Sequence, residues 1–137
     1  MPITSGGVAS ALTWIVKDKS EAESYFNFNW ASGYSGTFNV DTFAMLGDKL
    51  LIIGVALDNV SGGTIGTSGT AVVGTCSIRP KTIMSNLYAC NFPAIDYSRS
   101  NAQIRIGIMG NGDFCVMESV GVSAGSNHIR GTLVVPI

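Results

Sequence analysis

Two short polar segments of the chain combine charged groups with an aromatic ring. The first contains Asp96, Tyr97 and Arg99, and the second contains His128 and Arg130. Sugars are bound by such sets, because a sugar ring stacks its apolar face on an aromatic ring while its hydroxyls hydrogen-bond to charged or amide groups. These segments therefore predict a shallow polar pocket. The alternative for each residue is an ordinary solvated position in a loop.

A third set of aromatic residues surrounds a loop rich in Gly and Ser. Trp30 and Tyr34 flank this loop, although Trp30 could equally serve as a packed core residue. We take the saccharide-binding candidates to be Asp96, Tyr97, Arg99, His128, Arg130, Trp30 and Tyr34.

The chemical class of the ligand stays open at this level. A phosphate-bearing glycan would favour Arg99 and Arg130, because guanidinium groups pair well with phosphate oxygens. A neutral sugar would depend more on stacking against Tyr97 and on the carboxylate of Asp96. Only the charged ligand should bind markedly more weakly as ionic strength rises.

One motif suggests catalysis but lacks its partners. Residues 121–125 match the G-x-S-x-G pattern of a nucleophile elbow, which needs a strand-to-helix turn followed by an acid and a His. No Asp or Glu follows Ser123, and the chain's one histidine, His128, lies five residues further on. The pattern is better explained as a Gly/Ser loop. We predict a protein that is not an enzyme and holds no cofactor and no metal.

The composition excludes several classes of partner. Eight basic and nine acidic residues form no basic stripe, which argues against nucleic-acid binding, and no apolar run approaches the roughly 18 residues of a membrane span. The low charge content of 12% and the 17 glycines favour an all-β domain whose surface is partly covered by copies of itself. The three cysteines lack metal-ligand spacing and are expected to be buried free thiols: Cys76, Cys90 and Cys115.

Residues 102–120 predict the central hairpin of that domain. Three isoleucines alternate with other residues over 104–108, and Asn111-Gly112 is typical of a two-residue turn with positive φ values. With this turn, Arg105 would face Glu118. Cys115 and Met117 would then share a face with the isoleucines.

The remaining elements complete an antiparallel β-sandwich or barrel over residues 25–137. The apolar run 49–57 predicts a strand that is covered on both faces, and about eight short strands follow one another at regular spacing. Residues 1–24 are interpreted as a short helical or extended neck. A helical stripe there would contain Val8, Ala11, Leu12 and Ile15. The alternatives for this segment are a frayed terminal arm and the end of a stalk that continues upstream.

Several of these stretches resemble the C-terminal head domains of tail fibres and receptor-binding proteins. Such proteins belong to phages and prophages of Gram-positive or gut bacteria, including the lactococcal type. The similar stretches are Ile78-Arg79-Pro80, Ala102-Gln103-Ile104-Arg105-Ile106, Asn111-Gly112-Asp113-Phe114 and Gly131-Thr132-Leu133. Residues 4–12, TSGGVASAL, are similar to the short helical connector that precedes such heads.

The resemblance implies a homotrimeric knob at the tip of a virion's tail fibre that binds a bacterial surface saccharide outside the cell. No pocket motif of that family matches this sequence, so none of its binding residues is carried over. The alternative function is a structural tip of a virion or appendage, or an adhesin that binds protein. A glycan array separates these functions, because the alternative predicts no bound glycan.

Overall fold

Nine strands and one helix form the described part of the chain. The structure is a computed structural model that describes residues 13–62, 69–81, 90–96, 102–118 and 127–137. The elements in chain order are β1 (Trp14–Val16), α1 (Lys19–Phe26), β2 (Asn29–Trp30), β3 (Tyr34–Leu46), β4 (Leu50–Gly62), β5 (Gly69–Thr75), β6 (Cys90–Asp96), β7 (Ala102–Ile108), β8 (Asp113–Glu118) and β9 (Asn127–Pro136). All strand pairs are antiparallel, and the order across the sheet is β1-β3-β4-β9-β6-β7-β8-β5-β2.

Aromatic packing shows that this sheet folds back on itself. Phe38 of β3 and Phe114 of β8 lie far apart in the strand order, yet their ring centroids are 6.2 Å apart. Phe28 stacks on Phe38 at 4.2 Å, and the fully buried Phe26 contacts all three of these rings. The core therefore lies between two halves of one curled sheet. This confirms the predicted all-β antiparallel sandwich.

Strand β4 is the buried centre of the first half, as the apolar run predicted. It lies between β3 and β9, and Leu51, Ile53 and Leu57 on its inner face are fully buried. Ala56, on the other face, is also buried. The strand runs further than predicted, to Gly62, after a bulge that follows Leu57.

The central hairpin exists, but its predicted register is wrong by one residue. Arg105 pairs with Met117, and Glu118 pairs with Ile104 instead. The shift moves Cys115 and Met117 to the opposite face from the isoleucines, since a slip of one residue exchanges the faces of a strand.

The cause of the shift is a loop of three residues in place of two. Gly112 N donates to Met109 O at 2.9 Å, and Met109 N donates to Asp113 O at 2.8 Å. Gly112 has a positive φ of +93°, whereas the φ of Asn111 is not positive. This is the pattern of a type I turn followed by a glycine bulge. Asn111 Oδ1 also accepts from Asp113 N at 3.0 Å and stabilises the turn.

The N-terminal segment differs from the predicted helix. Ile15 lies in strand β1, where it pairs with Met45, and the helix begins only at Lys19. Val8, Ala11 and Leu12 lie outside the described residues. The three residues Trp14–Val16 have aromatic or β-branched side chains, which suit an edge strand better than a helix.

The charged stretch that follows forms the helix. Asp18 caps it by accepting from Glu21 N at 2.9 Å, and Lys19 pairs with Glu23 one turn later at 2.5 Å. Ala22 and Phe26 bury its inner face in the core. Helix α1 thus packs its inner face on the sheet, and the domain boundary at residue 24 stays a prediction. In the part of the chain that the structure describes, no helix is long and apolar enough to cross a membrane.

Two of the three cysteines are described with their side chains. Cys76 and Cys115 are buried free thiols, as predicted. Burial raises the pKa of each thiol to about 11. The side chain of Cys90 lies outside the described part of the structure.

Candidate functional site

The outer face of the β4–β9 pair carries a compact cluster of one acidic and two basic side chains. Asp58 Oδ1 lies 2.9 Å from His128 Nδ1 and accepts a hydrogen bond from Arg130 Nη2 at 2.8 Å. All three side chains are half-buried, with exposed fractions of 25% for Asp58, 40% for His128 and 36% for Arg130. We call these three residues the Asp58 cluster.

The Asp58 cluster depends on a β-bulge. Leu57 pairs with Ile129 in the core, and the next pair is Val60 with Asn127. Two residues of β4, Asp58 and Asn59, therefore oppose the single residue His128. Asn59 has a φ of +53°, a left-handed conformation that Asn tolerates better than most residues.

Alternation along the strands directs the cluster away from the core. Leu57 and Ile129 point inward and are buried. Their neighbours Asp58, His128 and Arg130 consequently point outward, because successive side chains of a strand lie on opposite faces. Across the next strand pair, Arg130 pairs with Ile95 of β6, which is exposed. An apolar side chain thus borders the charged cluster.

Hydrogen bonding keeps Asp58 ionised. The hydrogen bond from His128 is the main cause that lowers the pKa of Asp58, burial opposes it, and the hydrogen bond from Arg130 lowers the pKa further. An ionised carboxylate can only accept hydrogen bonds, so Nδ1 of His128 carries the proton. The guanidinium is held from a second side as well, because Arg130 Nη1 donates to Ile129 O at 3.0 Å.

The distribution of these contacts leaves hydrogen-bonding capacity for a ligand. Both basic side chains contact the same oxygen of Asp58, Oδ1, and Oδ2 has no partner among the described residues. Arg130 uses Nη1 and Nη2 once each. A guanidinium has five N–H groups, so three of them are not engaged within the described part of the chain. An acceptor and several donors therefore lie side by side.

Trp30 approaches this cluster from the inside of the sheet. A Cβ on Gly36 would lie 2.8 Å from the carbonyl oxygen of Asp58 and 3.1 Å from Cζ2 of Trp30. Gly36 therefore allows the indole to lie beside the backbone of Asp58. Trp30 also packs edge-on against Phe28, at a centroid distance of 4.9 Å. The indole is thus half-buried and serves partly as a core residue.

Tyr34 starts β3 after a tight turn. Its N–H donates to Ala31 O at 3.0 Å, and Gly33 supplies the φ of +87° at the third position of the turn. Tyr34 is half-buried and pairs with Gly62, at the same end of β4 as the bulge.

The other predicted segment is described only at its start. Asp96 ends β6, and its backbone pairs with that of Ile129. The end of β6 therefore lies beside the strand that carries His128 and Arg130. Tyr97 and Arg99 lie outside the described residues, so their part in the site stays a prediction.

The residue that sequence reasoning missed is Asp58. The sequence feature that could have identified Asp58 is its position, as the first charged residue after the strongest apolar run. Across the described ranges, no group of three or more His, Cys, Asp or Glu side chains could hold a metal ion. The arrangement is suited to hydrogen-bonding and ion pairing.

No protein family that was compared matches this sequence, and no curated protein matches it either. One solved structure is similar in fold. It is the crystal structure of the head domain of lactococcal phage bIL170, described among the receptor-binding domains of lactococcal phages. The two chains are 20% identical, with a TM-score of 0.51, and the match covers 92% of this chain and 98% of the other. This confirms, at the level of the fold, the resemblance to phage receptor-binding heads.

Proposed function

We propose that this chain is the head domain of a phage tail fibre or receptor-binding protein that binds a bacterial surface saccharide outside the cell. The observation that carries the proposal is the Asp58 cluster on a fold shared with the bIL170 head domain. Binding by such a site leaves the glycan chemically unchanged, so we propose no catalytic activity and no cofactor.

The chemistry of the Asp58 cluster supports a sugar ligand. A sugar hydroxyl donates one hydrogen bond and accepts others, and the cluster places the Oδ2 acceptor of Asp58 close to the guanidinium donors of Arg130. Hydrogen bonds that involve a charged group are about twice as strong as neutral ones. Ile95 supplies an exposed apolar side chain beside Arg130 for the C–H face of the ring.

We also propose that the head is a homotrimer on the virion. Strand β1 forms one edge of the sheet in the described order, and its side chains are unusually exposed for apolar groups. Trp14 is 54% exposed and Val16 is 77% exposed. An open apolar edge strand risks uncontrolled pairing unless another chain covers it. A trimer in which the N-terminal segments converge would cover this edge.

A glycan array of bacterial surface polysaccharides tests the proposed function. We expect the parent chain to retain a small set of glycans, and Asp58→Asn and Arg130→Gln to lose them. The matched control is Asp48→Asn, because Asp48 is also an acid paired with a base, Lys49, but lies on an exposed turn. An array without any bound glycan would contradict the proposal and favour a structural tip or a protein-binding adhesin.

A further inference from the structure

We infer that the Asp58 cluster selects a neutral, hydroxyl-rich glycan and discriminates against a phosphate-bearing one. This inference rests on the proposed function, and it names the class of glycan that the site takes. The sequence alone left both classes open, because Arg130 is a good phosphate ligand when its charge is available.

The positive charge of Arg130 is already compensated within the cluster. The guanidinium of Arg130 is already paired with a carboxylate at 2.8 Å. The imidazole of His128 contacts the same carboxylate oxygen. With a neutral imidazole, the formal charge of the cluster is zero. A phosphate bound to Arg130 would also lie against the ionised Asp58, and like charges in close contact repel one another.

The cluster presents a hydrogen-bond acceptor, Oδ2 of Asp58, next to the guanidinium donors of Arg130. A phosphate group offers acceptor oxygens and would leave Oδ2 of Asp58 without a donor. A pair of neighbouring sugar hydroxyls offers both functions, because one hydroxyl can donate to Oδ2 while the other accepts from the guanidinium. A site built to hydrogen-bond a hydroxyl discriminates strongly against ligands that lack it, since its polar groups would be left unpaired.

An apolar side chain lies at the border of the site. Ile95 pairs with Arg130 across β6 and β9, and it is 39% exposed. Its side chain offers apolar contact to the C–H groups of a sugar ring. An apolar group at this position adds nothing to the binding of a phosphate, whose oxygens need donors or water.

An NMR titration with matched probes tests the inference. The probes are methyl α-D-glucopyranoside, methyl α-D-galactopyranoside and methyl α-D-mannopyranoside, each compared with the 1-phosphate of the same hexose. The readout is the shift of the backbone amides of Asp58, His128 and Arg130. We expect at least one glycoside to shift them, and its 1-phosphate to bind no more tightly. We also expect that raising NaCl from about 50 to about 300 mM leaves the affinity for the glycoside unchanged.

The variant Asp58→Asn sharpens this test, because it removes the negative charge but keeps the side-chain shape. We expect the affinity for the glycoside to fall about tenfold, since a hydrogen bond to a charged group is lost. The affinity for the sugar phosphate should fall less than that for the glycoside, because the loss of the repulsive carboxylate offsets part of the lost hydrogen bond. Asp48→Asn should change neither affinity, and equal melting temperatures exclude loss of folding.

The possible outcomes separate the inference from the proposed function. A parent chain that binds a hexose 1-phosphate about tenfold more tightly than its glycoside would overturn the inference and leave saccharide binding intact. So would an Asp58→Asn variant that loses both ligands equally. If neither kind of probe shifts the cluster amides and the glycan array is also blank, both the inference and the proposed function are wrong.

Discussion

Arg130 Nη2 and Asp58 Oδ1 are 2.8 Å apart, although the two residues are separated by 72 positions in the sequence. The contact exists because β4 pairs with β9, and because a bulge after Leu57 places Asp58 opposite His128. The same contact joins the two strands and orients the guanidinium. The proposed binding site therefore lies between two neighbouring strands near the end of their pairing, and this pairing fixes its geometry.

Replacing Arg130 by Lys tests the role of the guanidinium. The guanidinium of Arg130 donates hydrogen bonds to two acceptors, Ile129 O and Asp58 Oδ1. A single ammonium cannot reproduce this planar geometry, so we expect Arg130→Lys to reduce glycan binding at least about tenfold. The free energy of unfolding should change by less than about 1 kcal/mol, since the ion pair is partly exposed. Unchanged binding of the variant on the array would contradict a specific role for the guanidinium.

The acid stability of the fold should depend on Asp58. Its carboxyl has a pKa below the ordinary value of 3.8, so its ionised form stabilises the folded state. This contribution is fully present above about pH 4 and is lost as the pH falls through the lowered pKa. Urea unfolding of the parent and Asp58→Asn should therefore differ most between about pH 5 and 7, and the difference should shrink as the pH falls through the lowered pKa of Asp58. A difference that stays constant down to the lowest pH would contradict the hydrogen-bonded carboxylate.

Two glycines with similar φ values provide a matched test of the hairpin turn. Gly112 has a φ of +93° and Gly33 a φ of +87°. A Cβ on Gly33 would meet nothing within 4 Å, whereas one on Gly112 would clash with the guanidinium of Arg79 and lie 2.6 Å from Cys76 O. In both Ala variants the free energy of unfolding should fall by about 1 kcal/mol, because Ala disfavours the left-handed conformation.

Gly112→Ala should lower the free energy of unfolding by about 1–3 kcal/mol more than Gly33→Ala, because the new Cβ displaces the packed side chain of Arg79. In the parent, Arg79 Nη1 donates to Cys76 O at 2.6 Å and to Ile78 O at 3.1 Å, and these hydrogen bonds would be disturbed. Thermal or urea unfolding measures both variants. Equal losses at the two positions would show that Arg79 does not pack on the turn.

Light scattering tests the proposed trimer. At micromolar concentration we expect a mass near three times the 14.3 kDa of one chain. The double variant Trp14→Ser/Val16→Ser should lower this mass, because it removes the exposed apolar groups of the edge strand. A parent chain with the mass of a monomer would contradict the proposal. The array and NMR measurements on the parent would still report on the Asp58 cluster.

The sequence predicted the elements best where the apolar pattern was strong. The run over residues 49–57 indicated a strand that is covered on both faces, and β4 is such a strand. It predicted the hairpin but not its register, because Gly110-Asn111-Gly112 is compatible with a loop of two or of three residues. A distant contact favours the longer loop. Cys76 N donates to Gly112 O at 2.8 Å, from a strand end 36 positions away.

The candidate site was predictable only in part, for a similar reason. His128 and Arg130 were identified from their chemistry, and the structure brings them together on one strand face. Asp58 was not identified, because it lies 70 positions from His128 and nothing local indicates that β4 pairs with β9. The role of Trp30 was ambiguous, and the structure shows why: its indole packs on Phe28 and also lies beside Gly36 next to the Asp58 backbone.

The most direct measurement is a crystal structure of the chain with the glycan that it retains most strongly on the array. The proposed function predicts a sugar hydroxyl within hydrogen-bond distance of Asp58 Oδ2, and a second sugar oxygen that accepts from the guanidinium of Arg130. A glycan bound in the crystal and in solution without contact to Asp58, His128 or Arg130 would contradict the central claim.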